Sequence, residues 1–97
     1  MAWKLYRISS GHYTIDNFEL GAEEIPAVLR TLQACFQERL TLGRQAGIGL
    51  SQVGIEVLVD GSPLTVGWDN WSGVFLMAED AAGDAILTEL DDYLHHV

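Results

Sequence analysis

Residues 54–79 read GIEVLVDGSPLTVGWDNWSGVFLMAE, and their pattern decides the fold. Val53, Ile55, Val57 and Val59 alternate with Gly54, Glu56 and Leu58. Successive side chains of a strand point to opposite faces, so the four branched residues share one face, and the spacing predicts a strand over 54–59. Asp60-Gly61 favours the positive φ of a hairpin turn, and Pro63 cannot donate to a sheet ladder. A second strand is predicted over 64–68, with Leu64, Val66 and Trp68 on one face. Asp69-Asn70 tolerates left-handed backbone and marks a second turn. The third strand, 71–78, is apolar on both sides, with Val74, Leu76 and Ala78 opposite Phe75 and Met77. Such a strand is interior to its sheet or covered twice. A further strand beside it, or a second cover, is therefore expected.

Working outward, residues 3–9 alternate Trp3, Leu5 and Arg7 with Lys4, Tyr6 and Ile8, which predicts a strand broken by Ser9-Ser10-Gly11. Residues 12–18 carry the aromatic and β-branched content of another strand, although Asp16-Asn17 also reads as a turn. Ile25, Val28, Leu29, Leu32, Cys35, Phe36 and Leu40 recur at helical steps and predict a helix over 22–40. Pro26 is tolerated only near a helix start, so either the helix begins there or a turn precedes it. Residues 41–52 contain Gly43, Gly47 and Gly49 and read as a Gly-rich loop. A phosphate cradle needs a strand before the loop and a helix after it; here the order is reversed. A last helix is predicted over 81–96, capped by Asp80. Its buried stripe is Ala82, Ile86, Leu90, Tyr93, Leu94 and Val97, with Glu89, Asp91 and Asp92 on the wet side.

The fold class that follows is a single α+β domain over 1–97. An antiparallel sheet of four to five strands carries two helices on one face, in the order β(β)αβββα, as a two-layer sandwich. The sheet face bearing Leu58, Phe75 and Met77 then needs cover, from the N-terminal segment or from a second copy in a homodimer.

The chain has 97 residues, 14 acids, 5 bases and a net charge of −9. Its first 44 residues are neutral, and the whole excess falls in residues 45–97, which have no Lys or Arg. Such a surface repels nucleic acid and anionic lipid and attracts a basic protein. No apolar run nears the ~20 residues needed to span a bilayer. Residues 1–4 lead into polar alternation, so no secretory signal is expected. The one cysteine, Cys35, allows no internal disulfide and fits a reducing cytoplasm.

Catalytic motifs are wanting. His95 and His96 point about 100° apart on a helix and do not chelate as an i, i+4 pair would. Cys35 lies on the apolar stripe, as a buried structural thiol does. No metal, cofactor or catalytic residue is expected. The surface candidate is the turn Trp68-Asp69-Asn70-Trp71, joined by Asp91 and Asp92, because Trp is enriched where proteins meet. The expected function is a small acidic cytoplasmic interaction domain. Its sharpest form is a bacterial immunity or inhibitor protein that binds a basic nuclease toxin. The alternative is a small-molecule binder or enzyme with a pocket between the sheet and loop 41–52.

Overall fold

The computed structural model of the chain describes residues 3–45 and 52–96. Its elements follow the order β1 (Lys4–Arg7), β2 (Tyr13–Asn17), α1 (Ile25–Phe36), β3 (Leu40–Gln45), β4 (Gln52–Val59), β5 (Ser62–Asp69), β6 (Gly73–Ala78) and α2 (Ala81–His95). All six strands pair antiparallel in one sheet, in the order β1-β2-β6-β5-β4-β3. The fold class is α+β.

The central meander β4-β5-β6 forms as the alternation predicts. Asp60 and Gly61 take φ of 53° and 81°, the left-handed pair that a tight hairpin turn requires. The second turn is longer than expected. Asp69 pairs with Gly73 across the hairpin, so Asn70, Trp71 and Ser72 form the loop. Gly73 has φ of 72°, and a Cβ there would strike the Asn17 carbonyl oxygen and the Phe18 backbone. Trp71 therefore belongs to the turn and not to the third strand.

Six strands stand where four to five were expected, because the stretch after α1 is a strand. The apolar stripe suggests helix as far as Leu40, but α1 ends at Phe36. Gln37 takes φ of 53°, and one 3-10 turn over Gln37–Arg39 leads into β3. Leu40 then pairs with Val59 and Leu42 with Val57. The physical reason lies in β4: Val57 and Val59 are fully buried, and an unpaired β4 would leave backbone donors and acceptors beside that core. The register shifts between Leu42 and Gln45, which disguised the strand as a loop. Residues 46–51 of the expected Gly-rich loop lie outside the described residues. At the other end of α1, a 3-10 turn over Ala22–Glu24 precedes the helix, so Pro26 sits in its first turn.

One face of the sheet is the core. Leu5, Ile15, Leu76, Val66 and Ile55 form a row across five strands by register. Ile15, Leu76 and Val66 have no exposed surface. Val28, Leu32 and Phe36 of α1 and Ile86, Leu87 and Leu90 of α2 join them in one cluster, so both helices cover this face. Glu89 and Asp92 are exposed, as the stripe requires, but Ala82 is exposed too. Leu87 takes the expected place of Ala82 in the core.

Polar contacts fix the helices on the sheet. The Asp80 Oδ1 accepts from the Gly83 N–H at 2.7 Å and caps α2. Asp84, in the same turn, accepts from the Tyr13 N–H at 2.7 Å and lies 2.9 Å from His12 Nδ1. His12 first, then the Tyr13 N–H, hold the Asp84 carboxyl below its ordinary range. Arg39 reaches two elements at once: its Nη1 donates to Glu89 of α2 at 2.7 Å and its Nε to Asp60 of the β4–β5 turn at 3.0 Å.

Two glycines at left-handed φ give a contrast that urea denaturation measures. Gly61 faces open space, so Gly61→Ala is expected to cost only the backbone term of about 1–2 kcal/mol. Gly73→Ala must also displace the backbone of Asn17 and Phe18, and its midpoint is expected to fall well below that of Gly61→Ala. Equal midpoints would show that the β6–β2 contact is looser than described.

Candidate functional site: the open face of the sheet

The second face of the sheet carries no helix among the described residues. Register places Tyr6, Thr14, Met77, Thr65 and Glu56 in one row across it. Lys4, Asp16 and Phe75 share the next row. Leu58, Phe75 and Met77 are only half-buried. The N-terminal segment does not fold over them. It becomes β1, an edge strand that widens the sheet instead. Thr14 is 4% exposed, and its hydroxyl has no hydrogen-bond partner among the described residues. A buried hydroxyl left unpaired costs about 1–3 kcal/mol, so the face carries an unmet polar group beside Tyr6.

At the β1–β2 end this face holds a hollow of about 490 Å³, lined by Lys4, Tyr6, Asp16, Phe18, Trp71 and Ser72. Trp71 is 86% exposed and Phe18 71%. The turn that presents Trp71 is stiffened from within: Asp69 Oδ1 accepts from the N–H groups of Trp71 at 2.9 Å and Ser72 at 2.6 Å. Inside the hollow the Tyr6 hydroxyl donates to Asp16 Oδ2 at 2.6 Å. Burial first, and then Asp16, push the Tyr6 phenol up to about 12. It is therefore a fixed donor at neutral pH, and the Asp16 carboxylate is held in one orientation.

The six residues singled out in the sequence fall in three places. Trp71 stands at the hollow, with Asn70 exposed beside it in the turn. Asp69 is spent on the turn itself. Trp68 lies on the helix-covered side, partly buried against the core, and its cross-strand neighbour is Val74. Asp91 and Asp92 belong to α2, where Asp91 Oδ1 lies 3.2 Å from His95 Nδ1. Tyr6, Asp16 and Phe18 join Trp71 without having been singled out. Their signal was the hairpin of β1 and β2, whose register sets Lys4 opposite Asp16 and so brings Tyr6 diagonally beside it.

A second hollow, of about 530 Å³, lies between α1 and the end of α2, among Trp3, Val28, Thr31, Ala34, Tyr93 and Leu94. The expected pocket against loop 41–52 falls largely on residues outside the description. Burial first, and then Glu89, raise the Cys35 thiol, which disfavours the thiolate a nucleophile needs. The His12–Asp84 pair fastens β2 to α2, and no hydroxyl or thiol among the described residues bonds the His12 ring. Those residues also hold no group of three or more metal-ligating side chains, and no helix among them is long and apolar enough to cross a membrane.

Comparison with known proteins adds no relative: no family model, curated protein or solved structure matches the chain.

The Tyr6–Asp16 pair has a signature in alkali. The unfolded phenol loses its proton near 10 and the folded one near 12. A raised value means that stability is intact below about pH 10 and falls as pH rises through that window. Tyr6→Phe is expected to flatten this part of the stability–pH curve. Asp16→Asn should lower the Tyr6 titration but leave it above its ordinary value, because burial is the larger cause. An unchanged curve in both variants would show that the pair is not formed in solution.

Proposed function

We propose that the chain is an acidic protein-interaction domain whose open sheet face binds a basic protein. The specific form is that of an immunity or inhibitor protein, acting in the cytoplasm against a basic enzyme such as a nuclease toxin. On this reading the fold works as a two-layer sandwich, its helices serving as core cover and its sheet as binding surface.

One observation carries this: Trp71 and Phe18, at 86% and 71% exposure, stand together on the uncovered face. Large aromatic side chains are costly to leave in water and are enriched at the energetic centres of interfaces. The apolar Phe75 and Met77 continue the surface. The net charge of −9 supplies the complement to a basic partner and speeds encounter. Asp91 and Asp92 contribute to that long-range field from the helical layer, while Trp71 serves as anchor.

Binding of a purified basic protein to the immobilised domain tests this. The association rate is expected to fall at least about tenfold between low and high salt, with the dissociation rate nearly constant. Trp71→Ala is expected to speed dissociation about thirtyfold, a cost of roughly 2 kcal/mol. Reversal of Asp91 and Asp92 should slow association only. Asp69 is a poor choice for charge reversal, because its loss would also loosen the turn. Binding indifferent to salt and to Trp71, or an obligate dimer that buries Phe75 and Met77 between two copies, would contradict the proposal.

A further inference from the structure

We infer that the hollow between Trp71, Phe18 and Asp16 is a receptor for an arginine side chain of the basic partner. This deepens the interaction function proposed above by naming the group recognised.

Three observations meet there. First, Trp71 and Phe18 offer exposed aromatic surface at the same hollow. A guanidinium stacks on aromatic faces and sheds water more readily than an ammonium does. Second, Asp16 brings a carboxylate with one oxygen in use. Oδ2 accepts from Tyr6, and Oδ1 has no hydrogen bond among the described residues. The guanidinium fork has parallel N–H donors, one for Asp16 Oδ1 and the next for the lone pair of the Tyr6 hydroxyl oxygen that the neighbouring Ser72 side chain does not use. Third, the site is built before any ligand arrives. Asp69 holds the Trp71 turn through two N–H groups, and Tyr6 holds the carboxylate. Preorganisation of this kind lowers the cost of binding.

Lys4 is the opposing feature. It sits across the ladder from Asp16 and lines the hollow, yet it makes no ion pair among the described residues. Its ammonium competes with an incoming cation, so its removal should strengthen binding.

The test titrates N-acetyl-arginine amide into the full, isotope-labelled chain and follows the Trp71 indole N–H by NMR. Saturable movement with a Kd of about 1–10 mM is expected, the range of a single side-chain contact. N-acetyl-lysine amide should bind at least about threefold more weakly. Asp16→Asn, which keeps an oxygen for Tyr6, and Trp71→Ala should each weaken arginine about tenfold, the first read at Trp71 and the second at backbone signals of β1 and β2. Lys4→Ala should tighten it. Asp92→Asn removes the same charge from the helical layer and should change it less than about twofold, because screening limits exposed charges to about 8 Å. If Asp92→Asn costs as much as Asp16→Asn, if the two amino acids bind alike, or if Trp71 does not respond, the receptor is refuted and only bulk charge remains. The two proposals fail separately. A basic protein held in a salt-sensitive way while Trp71 ignores arginine would overturn the receptor alone. Arginine bound at Trp71 with no basic protein able to displace it would overturn the protein-interaction function alone.

Discussion

A six-stranded sheet has two faces, and the described residues supply helices for one. That single constraint organises the molecule. Both helices spend their apolar stripes on the face of Ile15, Val66 and Leu76, where burial is complete. Each fully buried aliphatic side chain contributes roughly 1.5–3 kcal/mol of transfer free energy, so that face holds most of the driving force for folding. The opposite face is left with Tyr6, Leu58, Phe75 and Met77 half-buried among polar neighbours. The functional reading rests on Trp71 and Phe18, which stand exposed on that side.

The charge distribution has a similar division of labour. Of the nine acids in residues 45–97, several serve the fold directly. Asp69 holds a turn, Asp80 caps α2, Asp84 fastens α2 to β2, and Asp60 and Glu89 share Arg39. Asp60 in the turn and Glu89 on the helix are joined by a guanidinium from between α1 and β3, which lies over Phe36 at 5.4 Å. These acids still add to the negative field that a basic protein would meet from afar. They are poor contact residues, since each has a local task. Asp16 differs, because it lines a hollow beside exposed aromatic rings and keeps one oxygen without a hydrogen bond among the described residues.

Much of the fold was legible in local pattern. The Asp60-Gly61 turn was readable because two left-handed positions in succession demand those residues. Asp80 was readable as a cap, and Ile86 and Leu90 as core, because helical period separates them cleanly from Glu89. Two features were hidden for definite reasons. Leu40 fits both the helical step from Phe36 and the alternation with Leu42, and only the need of β4 for a neighbour decides between them. Asp69-Asn70 reads as a two-residue turn with Trp68 and Trp71 on either side of it. The turn has three residues, closed by Gly73 at positive φ, and the two rings go to opposite sides of the sheet. The candidate site was less legible than the fold. Trp71 was found, but Tyr6, Phe18 and Asp16 are brought to it by the register of the β1–β2 hairpin and by the pairing of β2 with β6, a long-range contact that no local pattern specifies.

The most direct measurement places a photo-reactive amino acid at position 70, beside Trp71 on the open face, and, in a second protein, at position 34 in the hollow between the helices. Each is illuminated with a purified basic protein that the domain retains. Cross-linking from 70, suppressed by salt, with none from 34, is the predicted result. Cross-linking from 34 with none from 70 would contradict it, because the bound protein would then be using the face that the helices close.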